Sequence, residues 1–61
     1  MEPREVTSDE AAEIILNKSE EGLFYLYDEP EYVGIVCKDG TVTTQDFESR
    51  FECLKWLRER A

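Results

Sequence analysis

The chain has 61 residues, with 15 acids against 7 bases, a net charge of −8, two cysteines and no histidine. A chain this short buries only roughly 60% of its unfolded surface, so 1–61 is one thinly stabilised domain that benefits from a staple such as a disulfide, a metal or a second subunit. The acidic surplus excludes direct nucleic-acid binding and anionic membrane surfaces, which need clustered cations, and no run approaches the roughly 20 apolar residues of a membrane span.

Residues 1–6, MEPREV, are expected to be a flexible start. They carry charge and no apolar leader, which points to a reducing cytoplasm. VTSDEA at 6–11 then reads as a helix entrance. Thr7 is the N-cap, Glu10 completes a capping box, and Val6 and Ala11 form a hydrophobic staple. Ala11, Ile14 and Ile15 recur at helical spacing, widened by Ala12 and Leu16, and Gly22 supplies the stop. The first helix is expected over 8–20.

At residue 23 the period changes. LFYLY at 23–27 and YVGIVC at 32–37 are β-branched and aromatic runs joined by the polar turn DEPE. Asp39-Gly40 favours a two-residue type I′ hairpin, so TVTT returns antiparallel in a strand extended to about Phe47. Ser49 and Glu52 repeat the capping pattern, and Cys53, Leu54, Trp56 and Leu57 give the second helix an apolar face. The expected fold is α+β with the order αβββα. It is a two-layer unit in which both helices cover one face of a three-stranded antiparallel β-meander.

The hairpin sets a register. Residues 37 and 42, 35 and 44, and 33 and 46 face each other, as do 26 and 33, and 24 and 35. One face then carries Phe24, Leu26, Val33, Ile35, Cys37 and Val42, the expected core. The other carries Leu23, Tyr25, Tyr27, Tyr32, Val36 and Phe47, with Tyr25 across from Gly34, where an aromatic ring can cover bare backbone. A sheet face turned to water shows polar residues, and tyrosine is favoured at interfaces. Those six residues are therefore the expected binding surface for a protein partner or for a second copy in a homodimer.

Catalytic chemistry finds little purchase. There is no histidine and no glycine-rich phosphate loop, the acids are already assigned to caps and turns, and the chain is small for a deep cleft. No catalytic residue, cofactor or metal ligand is assigned, since the acidic turn lacks calcium-loop spacing. Cys37 and Cys53 read as small buried hydrophobes, with an opportunistic disulfide or a reactive thiol as the alternatives. The acids suggest a second function: Glu20, Glu21, Asp28, Glu29 and Glu31, with Glu10 and Glu13, lining one edge and mimicking nucleic acid on a host enzyme. The plainer alternative is solubility.

YVGI at 32–35, a Gly-containing turn, a Thr-rich strand ending at Phe47 and ECLKWL at 52–57 together resemble a class of small phage and prophage proteins, over roughly residues 24–57. The resemblance implies a bacterial or phage cytoplasm, where very small proteins bind and modulate a larger host protein. It brings no site residues with it.

Overall fold

The structure, a computed structural model, describes residues 2–17 and 20–60. The chain is α+β, with two helices and a four-stranded mixed sheet in the order β1-β2-β3-β4. The elements are β1 (Arg4–Glu5), α1 (Ser8–Asn17), β2 (Gly22–Asp28), β3 (Glu31–Lys38), β4 (Thr41–Phe47) and α2 (Arg50–Arg58).

Strands β2, β3 and β4 form the antiparallel meander in the register that the hairpin dictates. Phe24 faces Ile35, Leu26 faces Val33, Tyr25 faces Gly34, Cys37 faces Val42 and Ile35 faces Thr44. The turn chemistry explains why. Asp39 and Gly40 both take positive φ, 54° and 76°, as a type I′ turn requires. At the other hairpin Asp28 pairs with Glu31, leaving Glu29-Pro30 as a two-residue loop with a cis peptide bond.

The N-terminal segment departs from expectation. Arg4 and Glu5 form a strand parallel to β2, opposite Phe24 and Tyr25. The Val6 N–H donates to the Tyr25 carbonyl at 2.9 Å, and Val6 is buried. A parallel pair needs a crossover, and here α1 supplies it. The capping box then orients α1: the Thr7 N–H donates to Glu10 Oε1 and the Glu10 N–H to Thr7 Oγ1, both at 3.2 Å. Of the helix expected over 8–20, residues 18 and 19 lie outside the described residues, and Glu20 is not helical. Gly22 is not the helix stop; it opens β2 opposite Cys37, with φ 148°.

The two helices lie on opposite faces of the sheet, which corrects the two-layer expectation. Ala11 and Ile14 of α1 pack with Val6, Phe24, Leu26, Ile35 and Cys37. Cys53, Trp56 and Leu57 of α2 pack with Leu23 and Tyr25, flanked by Tyr32, Val36, Phe47 and Leu54. Both layers are dry at their centres, with Ile35 on one side and Leu57 on the other each 0% exposed. The physical reason is area. A sheet apolar on both faces leaves one unburied if both helices share the other, and burial contributes about 25 cal/mol per Å² of apolar surface.

Gly34 explains how closely α2 approaches. A Cβ built on it would lie 3.0 Å from two ring carbons of Trp56 and 3.4 Å from Cys53 Sγ. An aromatic ring does cover the bare backbone at Gly34, and the ring in closest contact is that of Trp56 from the helix. Phe47, with its ring centroid 5.4 Å away, and the Arg60 guanidinium, 4.3 Å from the ring centroid, hold the indole in place. The Arg60 side chain also donates to the Trp56 carbonyl at 3.2 Å.

Candidate functional site: the free edge of β4

The tyrosine face expected to dock a partner is mostly occupied by the chain itself. Leu23 and Tyr25 are buried under α2, and Tyr32, Val36 and Phe47 are half-buried around it. Arg50, in the first turn of α2, donates to the Tyr25 hydroxyl at 3.0 Å and lies 5.6 Å from the centre of its ring. Side chains alternate along the strand as expected, but α2 provides the cover expected of a partner. Tyr27 is the exception at 52% exposed, leaning on Tyr32 with 4.8 Å between ring centroids.

The acids expected along one edge are divided by β2. Glu20 and Glu21 precede that strand, while Asp28, Glu29 and Glu31 surround the turn at its far end, about 23 Å away for seven residues at 3.3 Å each. The near pair is already engaged: Glu20 pairs with Arg4 at 3.1 Å, and Glu21 accepts the Asp39 N–H at 3.0 Å.

The cysteines sit apart. Cys37 belongs to the α1 layer and Cys53 to the α2 layer, so the sheet separates them. Desolvation pushes both thiols above the ordinary value, for Cys37 with help from the charge of Glu20. That direction is opposite to what an activated nucleophile needs. Among the described residues, no group of three or more His, Cys, Asp or Glu is arranged to hold a metal ion. Nor is any helix among the described residues long and apolar enough to cross a membrane.

Unused hydrogen-bonding capacity is found at the sheet's edge. Among the described residues, every buried side-chain polar atom has a partner. The backbone of β4 does not. In the type I′ turn the Lys38 carbonyl accepts the Thr41 N–H, which makes Lys38 and Thr41 a bonded pair. Bonded and non-bonded pairs alternate along an antiparallel ladder, so Thr43, Gln45 and Phe47 also direct their backbone groups at β3. The N–H and C=O of Val42, Thr44 and Asp46 then point away from the sheet. No hydrogen bond outside the ladder ends on these three among the described residues.

The two edges of the sheet are built differently. At one edge β1 is two residues long, both charged, and follows Pro3; these are the features that discourage further strand pairing. At the other edge β4 runs seven residues in unbroken register, with no bulge, no proline and no lysine, and Asp46 as its one charge. Its side chains are exposed except for half-buried Val42 and Phe47. A surface hollow of ≈ 300 Å³ lined by Val36, Lys38, Asp39, Thr41, Thr43 and Arg60 borders its start on the α2 side. Sequence reasoning missed this edge, although its signal was present: β4 is the last strand of the meander and, apart from Asp46, carries no lysine, proline or bulge to guard it.

No protein-family model, no curated protein and no solved structure matches this chain.

Proposed function

We propose that this chain is a non-enzymatic protein-interaction module that accepts an extended strand along the free side of β4. The observation that carries the reading is the seven-residue edge with outward backbone groups at Val42, Thr44 and Asp46. Strand addition draws affinity from main-chain hydrogen bonds and specificity from alternate side chains. Here the alternate positions on one face are Val42, Thr44 and Asp46, and on the other Thr41, Thr43, Gln45 and Phe47. Tyr27, the exposed member of the six-residue tyrosine face, stands two strands away on β2 and is no part of this surface.

The interaction reading is also supported by what the rest of the molecule does with its chemistry. The thiols are held neutral in two separate apolar layers, which fits a reducing compartment such as the bacterial or phage cytoplasm implied by the 24–57 resemblance. The acidic-decoy alternative has no comparable support, because its acids fall into two groups at opposite ends of β2 and two of them are bonded within the chain.

The test is a selection of random extended peptides against the protein, with Thr44→Pro as counter-target. Proline at 44 removes an outward N–H and no bond to β3, a position where edge strands tolerate it. Binders that require Thr44 and that protect the Val42, Thr44 and Asp46 amides from exchange support the reading. Binders indifferent to Thr44→Pro would place the docking surface elsewhere.

A further inference from the structure

We infer that the strand β4 accepts is the β4 of a second copy, paired antiparallel about a two-fold axis through Thr44. The inference rests on the reading of β4 as the docking edge and names its occupant.

The register follows from which groups are free. Antiparallel pairing joins outward-facing residues to outward-facing residues in bonded pairs. Centring the axis on Thr44 sets Val42 against the partner's Asp46, Thr44 against the partner's Thr44, and Asp46 against the partner's Val42. Every outward N–H and C=O of those three residues then has a partner. Shifting the centre by one residue, to Thr43 or Gln45, leaves Asp46 or Val42 outside the set.

The side chains permit that register. Thr43 falls opposite the partner's Gln45, and Thr41 opposite the partner's Phe47, pairs with no like charges. The strand's one carboxylate, Asp46, meets a valine, and the two copies of Asp46 lie at opposite ends of the new ladder. Like charges placed directly opposite each other destabilise strand pairs, and β4 is arranged to avoid this about its own midpoint. The sheet becomes eight-stranded, with β1 at each outer edge, where short length and charge end the pairing. Half-exposed Val33 and Val42 then floor a trough between the two α1 helices, continuous with the α1 layer. This also supplies the second subunit that so short a chain lacks.

Charge gives the dimer a signature. Two chains of −8 repel each other, so added salt screens the repulsion and tightens self-pairing, whereas a basic partner held by the acids would be released.

The experiment is sedimentation equilibrium of the wild-type chain, Thr44→Pro and Thr44→Lys from micromolar to millimolar concentration, at low and raised salt, with circular dichroism confirming that each variant is folded. Thr44→Lys keeps its backbone N–H and opposes two cations on the axis, so it serves if the proline variant fails to fold. Thr44→Cys in mild oxidant provides the register, since bonded pairs place Cα atoms about 5.5 Å apart, within disulfide reach. The expected result is a wild-type mass rising from one chain to two, more readily in salt, variants that stay single chains, and a covalent dimer of Thr44→Cys. A wild-type chain that stays single at millimolar concentration overturns self-pairing, while the peptide selection above still decides whether β4 docks a strand of another protein. A dimer that both Thr44 variants preserve overturns self-pairing through β4 and counts against the edge as well.

Discussion

Replacing Gly34 by alanine probes the contact that fixes α2 to the sheet. In a strand with room for it, the added methyl group should stabilise by about 0.5–1 kcal/mol, because glycine loses the most backbone freedom on folding. Here the methyl group lands 3.0 Å from Trp56 Cε3 and Cζ3, well inside ordinary carbon contact, with Cys53 Sγ at 3.4 Å. The indole has little room to retreat, being held by Phe47 on one side and Arg60 on another. Overpacking of this kind costs about 1–3 kcal/mol. We expect a net loss of about 1–2 kcal/mol, a large share of the roughly 3–9 kcal/mol that a chain of 61 residues commands. The assay is urea denaturation followed by far-UV circular dichroism, since Trp56 is the sole tryptophan and the matching experiment removes it. In a Trp56→Phe background the six-membered ring of the indole is gone, so Gly34→Ala should become neutral or stabilising, giving a coupling of at least about 1 kcal/mol. Stabilisation by Gly34→Ala in the wild-type chain, or equal effects in both backgrounds, would refute the placement of α2 over β3.

Three further outcomes follow from the same geometry. Thr7→Ala removes the hydroxyl that accepts the Glu10 N–H, while the backbone N–H of residue 7 can still donate to Glu10, and should cost about 1 kcal/mol in the same denaturation assay. Both thiols are raised by burial, so folding favours their neutral forms; their contribution is whole below the ordinary value of 9.0 and is lost as pH rises through the higher folded values. Denaturation curves collected upward from pH 7 should therefore show stability falling above about pH 9, with a shallower fall in the Cys37→Ala, Cys53→Ala double variant. Oxidation of the native wild-type chain should yield no internal disulfide by mass spectrometry, because the sheet stands between the two sulfurs.

The parts of this fold that are legible in the sequence are those decided within a few residues. Asp39-Gly40 determines a turn, the turn determines the register, and the register sorts every side chain from 23 to 47 onto its face. Thr7 with Glu10 and Ser49 with Glu52 mark both helix starts, and the Ser49 hydroxyl accepts the Glu52 N–H as the pattern requires. What local chemistry does not decide is which helix covers which face, because two amphipathic helices and a sheet apolar on both sides admit two arrangements. Two clues favoured the three-layer answer: a glycine in mid-strand on the supposedly open face, and a tryptophan in the helix that needed to come close. β1 was less legible still. Arg4 and Glu5 have no strand signature of their own, and their pairing with β2 depends on α1 carrying the chain across.

The tyrosine face is covered by the chain itself for a related reason. Counting aromatics on the face of Tyr25 and Tyr32 locates apolar surface, and apolar surface is what the chain first buries for itself. The outward backbone of the terminal strand is different, since among the described residues no side chain bonds to it. A docking element of that kind shows in the sequence only as missing guards, the absence of Lys, Pro and bulge from TVTTQDF.

Residue-by-residue amide exchange along β4 in dilute solution tests the free edge most directly. The account predicts an alternation in which Thr43, Gln45 and Phe47 are protected by β3 while Val42, Thr44 and Asp46 exchange as open amides. Uniform protection along the strand in a verified single chain would show the edge already covered and would contradict the account.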